Sequence, residues 1–332
     1  MNRTLSVTGI LSCMLLSLFI IYGCGGGGGG GGAGINYTGV TSQALIDENN
    51  AYDIAVGTYE GGDRAYNFDN LFGVVQQNSK SINTGLVQEI YSFFSVVVAK
   101  VENSATFNVV SLGAVISENE TIAGECGGNF SVDISGNDQT GNFSGSFRFN
   151  DFCEPEFTAN GKMNVSGNFD PNTEEINNIN MSFSNLSMAV EGESIGMNGS
   201  INLNLTSFPY RMTMSFVFED NNMNKTYKFQ NFVFDIYEGF DFVDIEASGR
   251  YYDHDYGYVE ISTVERLRFY EYNLWPSSGI FVFTGDYGIE GGNTRARLYV
   301  IDSSSFLVDA DTDGDGFFDD YNSGSIFWAN AL

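Results

Sequence analysis

The stretch Phe157-Thr-Ala-Asn-Gly-Lys-Met-Asn-Val-Ser-Gly-Asn-Phe169 alternates apolar or small residues with polar residues along its whole length. In a β-strand successive side chains point to opposite faces, so one face of this segment is apolar and the other is polar. This pattern is typical of antiparallel strands that keep one face in water. The stretch therefore predicts a half-buried strand.

The same period of two continues on both sides of this stretch, from about residue 105 to the C-terminus. Alternating segments are Phe130–Ile134, Ile201–Leu205, Met212–Phe218, Phe232–Ile236 and Val243–Ala247. Turn-forming groups separate them: Gly136-Asn137-Asp138, Asp170-Pro171-Asn172, Asp220-Asn221-Asn222 and Tyr237-Glu238-Gly239. We expect roughly ten to fourteen strands joined mostly as hairpins. The predicted fold is mainly β within the α+β class, a large antiparallel curved sheet or open barrel.

Two segments before residue 105 have helical spacing instead. Residues 41–57 place Leu45, Tyr52, Ala55 and Val56 near one face, and residues 82–101 do so more strongly. Glu89 and Lys100 disfavour a membrane span for the second segment. We predict two amphipathic N-terminal helices, within residues 36–104, that pack on the apolar face of a β domain formed by residues 105–332.

The N-terminus has the features of an export signal. Arg3 precedes an almost wholly apolar run, Leu11–Tyr22, which is too short to span a membrane as a helix. The run ends in Ile21-Tyr22-Gly23-Cys24, which resembles the lipobox of bacterial lipoproteins. The alternative is an ordinary secretory signal with an incidental cysteine.

The lipobox resemblance implies that residues 1–23 are removed and that Cys24 is diacylated. Because Gly25 rather than Asp follows the cysteine, it also implies sorting to the outer membrane in a Gram-negative host. The protein would be held there by its lipid, at the periplasmic face or the cell surface. Residues 24–35 would form a flexible glycine tether with a reach of roughly 17 Å.

Composition excludes some partners. The net charge is −28, and such an acidic surface repels nucleic acid and anionic lipid headgroups. Aromatic residues make up 15% of the chain, which argues against disorder. We therefore expect a folded protein that does not bind nucleic acid.

The chain has four cysteines. Cys13 leaves with the signal and Cys24 is the predicted lipid attachment site. Cys126 and Cys153 remain in a chain sent to an oxidising compartment, so they are predicted to form a disulfide. The alternative is a redox or metal-binding thiol pair, which the lack of CxxC spacing disfavours.

The sharpest local motif is the acidic loop of residues 309–322. Alternating aspartates can direct carboxylates toward a cation, and glycine permits the tight turn. Starting at Asp311, the loop resembles the DxDxDGxxD loops of thrombospondin type-3 repeats and EF-hand-like calcium sites. The expected calcium ligands are Asp311, Asp313, Asp315 and Asp319, with Asp309, Asp320 and Asn322 in an alternative or extended register. The competing interpretation is a solvated acidic turn between Phe306-Leu307-Val308 and Ile326-Phe327-Trp328.

The sequence offers little for catalysis, and no catalytic residue is predicted. His254 is the single histidine, in Asp253-His254-Asp255, and this setting favours a polar turn between two strands. With one histidine and no free thiol expected, catalytic triads that combine histidine with Ser or Cys are strongly disfavoured. A glycosidase that uses two carboxylates stays open, because many acidic pairs exist.

The segment from Cys126 to Gly167 and the tail from Tyr251 to Trp328 also resemble uncharacterised Gram-negative lipoproteins with a helix-then-β layout. That resemblance brings no activity with it. The sequence favours a lipid-anchored envelope protein with a structural or binding role, whose partner is an apolar ligand or a glycan. The alternatives are a carboxylate-dependent glycan hydrolase and a surface glycan-binding adhesin.

Overall fold

The computed structural model describes residues 34–66 and 115–331, except 138, 156, 174, 191–192, 222, 271–272 and 274. Cys24, the glycine tether and the predicted helix over residues 82–101 lie outside the described residues. Within the described part of the chain, no helix is long and apolar enough to cross a membrane.

The described chain is mainly β. The described residues contain two helices, α1 (Ala51–Tyr66) and α2 (Trp328–Ala331). The strands are β1 (Val115–Ala123), β2 (Gly127–Asn137), β3 (Asn142–Glu154), β4 (Phe157–Phe169), β5 (Ile176–Val190), β6 (Glu193–Asn204), β7 (Tyr210–Asp220), β8 (Lys225–Glu238), β9 (Phe242–Asp253), β10 (Gly257–Tyr270), β11 (Ser278–Tyr287), β12 (Asn293–Asp302), β13 (Ser305–Asp311), β14 (Tyr321–Asn322) and β15 (Ile326–Phe327).

All fifteen strands belong to one open sheet, and β1 to β14 follow each other in chain order. The short β15 also pairs with β13. The registered neighbours are antiparallel, as in β3 with β4 and β12 with β13. The four predicted turn groups fall at the ends of strands, which confirms the hairpin layout.

The chain divides into two compact units. Among the described residues, one consists of 34–35, 64–66, 115–200 and 218–224, and the other of 36–63, 201–217 and 225–331. We refer to them as the first and second units. Each has its own aromatic core. In the first, Phe130 lies 4.9 Å from Phe149 between ring centroids, and in the second, Trp328 lies 4.2 Å from Phe306.

The first predicted helix begins ten residues later than expected, because the backbone before it pairs with strands. The Ala44 N–H donates to the Tyr258 carbonyl, and the Ala44 carbonyl accepts from the Asp286 N–H. Helix α1 starts only after Asp47, whose Oδ1 accepts from the N–H groups of Asn49 and Asn50. Leu45, predicted on the buried helix face, is therefore 53% exposed.

The predicted disulfide between Cys126 and Cys153 is present. It joins the start of β2 to the end of β3, where the Cys126 N–H also donates to the Cys153 carbonyl. The two cysteines are 27 residues apart. A loop of this size contributes about 3.5 kcal/mol to stability in the chain-entropy description.

The alternation of buried side chains reverses its phase inside single strands. In β3, Phe147 and Phe149 are buried, but after Asp151 the buried positions become Phe152 and Glu154. Asp151 has a positive φ of 47° and sits where the register with β4 shifts, which defines a β-bulge. The same arrangement occurs at Asn185 in β5 and Asn231 in β8, with φ of 49° and 50°. The local sequences are Phe149-Asn-Asp151-Phe152, Phe183-Ser-Asn185-Leu186 and Phe229-Gln-Asn231-Phe232.

A glycine on the neighbouring strand makes room for these bulges. Gly161 has a φ of 105°, and a Cβ there would lie 2.1 Å from the Asn185 carbonyl oxygen. At Gly249, with a φ of 138°, a Cβ would lie 2.6 Å from Phe232 Cα. Both positions need glycine for their backbone conformation and for the close approach of the bulged strand.

We therefore predict that Gly161→Ala lowers the free energy of unfolding by at least about 2 kcal/mol, since an alanine at positive φ is strained and here also collides with backbone. Urea unfolding of the full-length protein measures this change. Gly136→Ala is the matched control, because its added Cβ meets only the Asn142 carbonyl oxygen, at 3.9 Å. Equal stability of the two variants would contradict the role given to the bulge.

Candidate metal site in the acidic loop

The acidic loop leaves β13 at Asp311 and returns to the sheet at β14. Strand β13 pairs with β12 on one side and with β14 and β15 on the other. Gly314 and Gly316 have φ of 82° and 102°, so the chain turns sharply between the aspartates. The loop is thus a turn between two paired strands, as the solvated-turn interpretation also required.

Asp311 is the centre of the loop and is fully buried. Its Oδ1 accepts from the Gly314 N–H at 2.8 Å, and its Oδ2 accepts from the Gly316 N–H at 3.1 Å. Arg295 donates to the same Oδ2 from Nη2 at 2.7 Å and from Nε at 3.2 Å. The negative charge of Asp311 is therefore balanced within the protein.

The other aspartates shape the loop through their own backbone contacts. Asp313 Oδ1 accepts from the Asp315 N–H at 3.0 Å, and Asp315 Oδ1 accepts from the Phe317 N–H at 2.8 Å. Asp320 Oδ2 accepts from the Thr312 N–H at 2.7 Å. This backbone hydrogen bond is the main cause that lowers the pKa of Asp320 below its usual value.

Three of the predicted ligands come together. Asp311, Asp313 and Asp315 each offer one carboxylate oxygen, and these oxygens lie within 4.8 Å of one another. Such a group could hold a metal ion, and oxygen ligands suit hard cations. Asp319 is exposed and does not belong to the trio.

The residues of the alternative register have other contacts. Asp309 forms an ion pair with Arg297, which donates from Nε to Oδ1 at 2.9 Å. Asn322 lies in β14 opposite Asp309, and its Oδ1 accepts from the Gly324 N–H. Asp320 holds the loop backbone. The trio is therefore the part of the motif that is best placed to meet a cation.

The carboxylates of the trio suit a hard cation, but one of them already has a positively charged partner. Asp313 is partly exposed and Asp315 is exposed, and neither carboxylate forms an ion pair with an Arg or Lys side chain in the described structure. Asp311 is different, since Arg295 already occupies its Oδ2. A cation that binds the trio must share Asp311 with Arg295, which reduces the gain in electrostatic energy.

The loop is also held from outside. The Glu290 N–H donates to the Asp313 carbonyl at 2.8 Å, from the turn between β11 and β12. Gly288 and Gly292 in that turn approach the backbone of Asp313 and Gly314 so closely that a Cβ would lie 2.2 Å from a carbonyl oxygen at either position. Hydrogen bonds and close packing therefore fix the loop conformation.

His254 lies in the turn between β9 and β10, where the sequence placed it. Its Nδ1 accepts from the Thr226 N–H at 3.1 Å, and its carbonyl accepts from the Val40 N–H. The ring nitrogen thus has a structural partner. The arrangement gives His254 a role in joining three segments of the second unit.

Sequence reasoning missed the two arginines that neutralise the loop. Arg295 and Asp311 face each other across β12 and β13, and so do Arg297 and Asp309. The sequence contained a signal for these two ion pairs. Arg295-Ala-Arg297 and Asp309-Ala-Asp311 have the same internal spacing and lie at equal distances on either side of the tight turn between β12 and β13. The centre of the Phe318 ring, also in the loop, lies 4.9 Å from the guanidinium carbon of Arg295 and 4.5 Å from that of Arg297.

We predict that Asp311→Asn lowers the free energy of unfolding by about 2 kcal/mol, because it leaves the half-buried Arg295 without its counter-charge. Asp315→Asn removes the same charge from an exposed position and keeps an oxygen for the Phe317 N–H, so a change within about 0.5 kcal/mol is expected. Urea unfolding of both variants without added metal gives the comparison. Similar losses in both would show that Asp311 is not the central residue.

No protein-family model, curated protein or solved structure matches the chain.

Proposed function

We propose that this protein is a lipid-anchored component of the bacterial envelope with a binding or structural role rather than a catalytic one. The lipobox-like sequence ending in Cys24 and the glycine tract behind it are the sequence basis. The observation that carries the proposal is the disulfide between Cys126 and Cys153. Disulfides of this kind persist in oxidising compartments, so the bond supports export of the folded domain.

The two faces of the sheet favour a polar partner over an apolar one. In β4, Met163 and Val165 are almost fully buried, which leaves little of that face for an apolar ligand. The opposite face of β2 to β5 is rich in Asn and Ser side chains. Several of them bond across strands, such as Asn164 to Ser182 and Asn150 to Asn129. Amides and hydroxyls at a partly exposed face can bind glycans, so we favour a glycan as the partner.

Lipid attachment is tested by metabolic labelling. Expressed in a Gram-negative host with radioactive palmitate, the full-length protein should take up label, and Cys24→Ser should not, since the thiol is the acylated group. Cys13→Ser is the control, because this cysteine precedes the expected cleavage site and its loss should leave labelling unchanged. Retention of label in Cys24→Ser would overturn the proposed anchor.

A second function is calcium binding by the acidic loop, favoured by the trio Asp311, Asp313 and Asp315. The competition with Arg295 and the exposure of Asp315 favour weak affinity, roughly 10⁻³ M, as for other extracellular calcium modules. The role would be structural. Calcium would then add to a loop that hydrogen bonds already shape.

At 10 mM, a calcium ion bound with a dissociation constant of about 10⁻³ M should stabilise the protein by about 1.4 kcal/mol. Calorimetric titration and thermal unfolding with and without CaCl₂ measure this. Asp313→Asn should weaken binding, and Arg295→Gln should strengthen it because Asp311 Oδ2 becomes available. Asp241→Asn, at an exposed position outside the loop, is the control. Absence of both heat and thermal shift in the unaltered protein would exclude calcium.

A further inference from the structure

Two cations face each other in the middle of the polar face of the first unit. Arg148 on β3 and Lys162 on β4 are directly opposed in the register of the two strands. Their sequence neighbours Phe147, Phe149 and Met163 are buried on the other face. The two basic side chains therefore emerge on the same polar face, with their Cβ atoms roughly 5 Å apart.

Neither cation has a counter-charge among the residues that the structure describes. No ion pair or side-chain hydrogen bond of Arg148 or Lys162 occurs there. Every other cation whose side chain is described pairs with a carboxylate, as Arg268 does with Asp244, or, for Lys228, lies over the Tyr252 ring. The pairing of Arg148 with Lys162 is thus an exception in a protein with a net charge of −28.

The strands beside the pair carry few charges: β5 has none, and β2 has one acidic residue, Asp133. Strand β5, the neighbour of Lys162, contains no charged residue, and Lys162 is the only charged residue of β4. On β2, Ser131 is the partner of Arg148, and Asp133 lies one diagonal step away, opposite Ser146. Asp133 does not form an ion pair with Arg148 in the described structure. The two positive charges therefore reinforce each other locally despite the acidic character of the whole chain.

Like charges directly opposite each other in a sheet are destabilising. The pair opposes folding unless an anion lies between the two side chains. An arginine beside a lysine offers a planar fork and a mobile ammonium group, which together suit a carboxylate, sulfate or phosphate group. The arrangement is that of an anion-binding site with hydroxyl neighbours.

We infer that Arg148 and Lys162 bind the anionic group of an acidic saccharide on the polar face of β2 to β5. Ser131, Ser146 and Ser184 surround the pair in register and make no side-chain hydrogen bond within the described structure. Their hydroxyls are available for sugar hydroxyls. The inference rests on the proposed binding role, and it is independent of the lipid anchor and of calcium.

The test uses purified full-length protein and calorimetric titration at low ionic strength. The probes are oligogalacturonate, a dextran oligomer of the same length as the neutral saccharide, inorganic phosphate, and vesicles containing phosphatidylglycerol. The double variant Arg148→Gln, Lys162→Gln removes the site. The control Arg211→Gln, Lys225→Gln removes two cations of the second unit that already have carboxylate partners, the exposed Arg211 and the half-buried Lys225.

We expect oligogalacturonate to bind at least tenfold more tightly than dextran, and the double variant to lose at least tenfold in affinity while the control loses less than twofold. The single variant Lys162→Gln should lose affinity and at the same time unfold at a higher urea concentration, since the like-charge contact is relieved. If Lys162 only stabilised the fold, Lys162→Gln would instead unfold at a lower urea concentration.

Several results would overturn the inference, and they are distinguishable. If dextran binds as tightly as oligogalacturonate and the double variant has no effect, the acidic-saccharide site is wrong but a glycan-binding role stands. If neither saccharide binds, both fail. If phosphate alone binds as tightly as oligogalacturonate, the site is a simple anion site, and binding only to the vesicles would assign it to lipid.

Discussion

At three bulges the alternation of buried and exposed side chains along a strand reverses, and the sheet depends on this constraint. A strand with one buried face tolerates no slip, because a shift of one residue moves every apolar side chain to the other face. Residues Asp151, Asn185 and Asn231 introduce such a shift inside β3, β5 and β8, and each strand continues with the opposite parity of buried positions. The bulge therefore decides which side chains beyond it are buried. Asn and Asp tolerate the left-handed conformation better than other residues with a side chain, which explains their occurrence at these positions.

Most of the sheet could be predicted from the sequence because period-two alternation and turn residues are local signals. The strand around Met163 and the four turn groups follow from such signals and are present, and the disulfide, predicted from the cysteine count and the expected export, is present too. The bulges were not predicted, since a period-two reading treats the step from Phe149 to Phe152 as a break in the pattern. The repeated order of a phenylalanine, a polar residue, Asn or Asp, and a second apolar residue would have revealed them. Helix α1 was placed too early because pairing of residues before Asp47 with distant strands is a tertiary effect that helical spacing does not contain.

In the acidic loop, too, the features encoded by neighbouring residues were predictable, whereas contacts with distant residues were not. Its aspartates and glycines predicted a turn rich in carboxylates, and three of the four preferred ligands do meet. The partners that neutralise the loop come from β12, and they become neighbours only through strand register. Arg295 changes the chemistry of the loop, because its guanidinium group donates to Oδ2 of the buried Asp311 and balances its negative charge. The protein thus supplies one positive charge itself, which makes the loop stable without metal and limits how much a metal can add.

Arg148 and Lys162 illustrate how a stable unit can retain an unfavourable contact. The repulsion of two opposed charges at a sheet surface costs up to about 1 kcal/mol, whereas the disulfide at the end of β3 contributes about 3.5 kcal/mol. The disulfide is close to the pair along β3, with Cys153 only a few residues beyond Arg148 and just past the bulge at Asp151. The strand that carries the repulsion is therefore also the strand that is covalently fixed. A sheet stabilised in this way can keep two cations without partners until an anion arrives, and the cost in stability becomes a gain in binding.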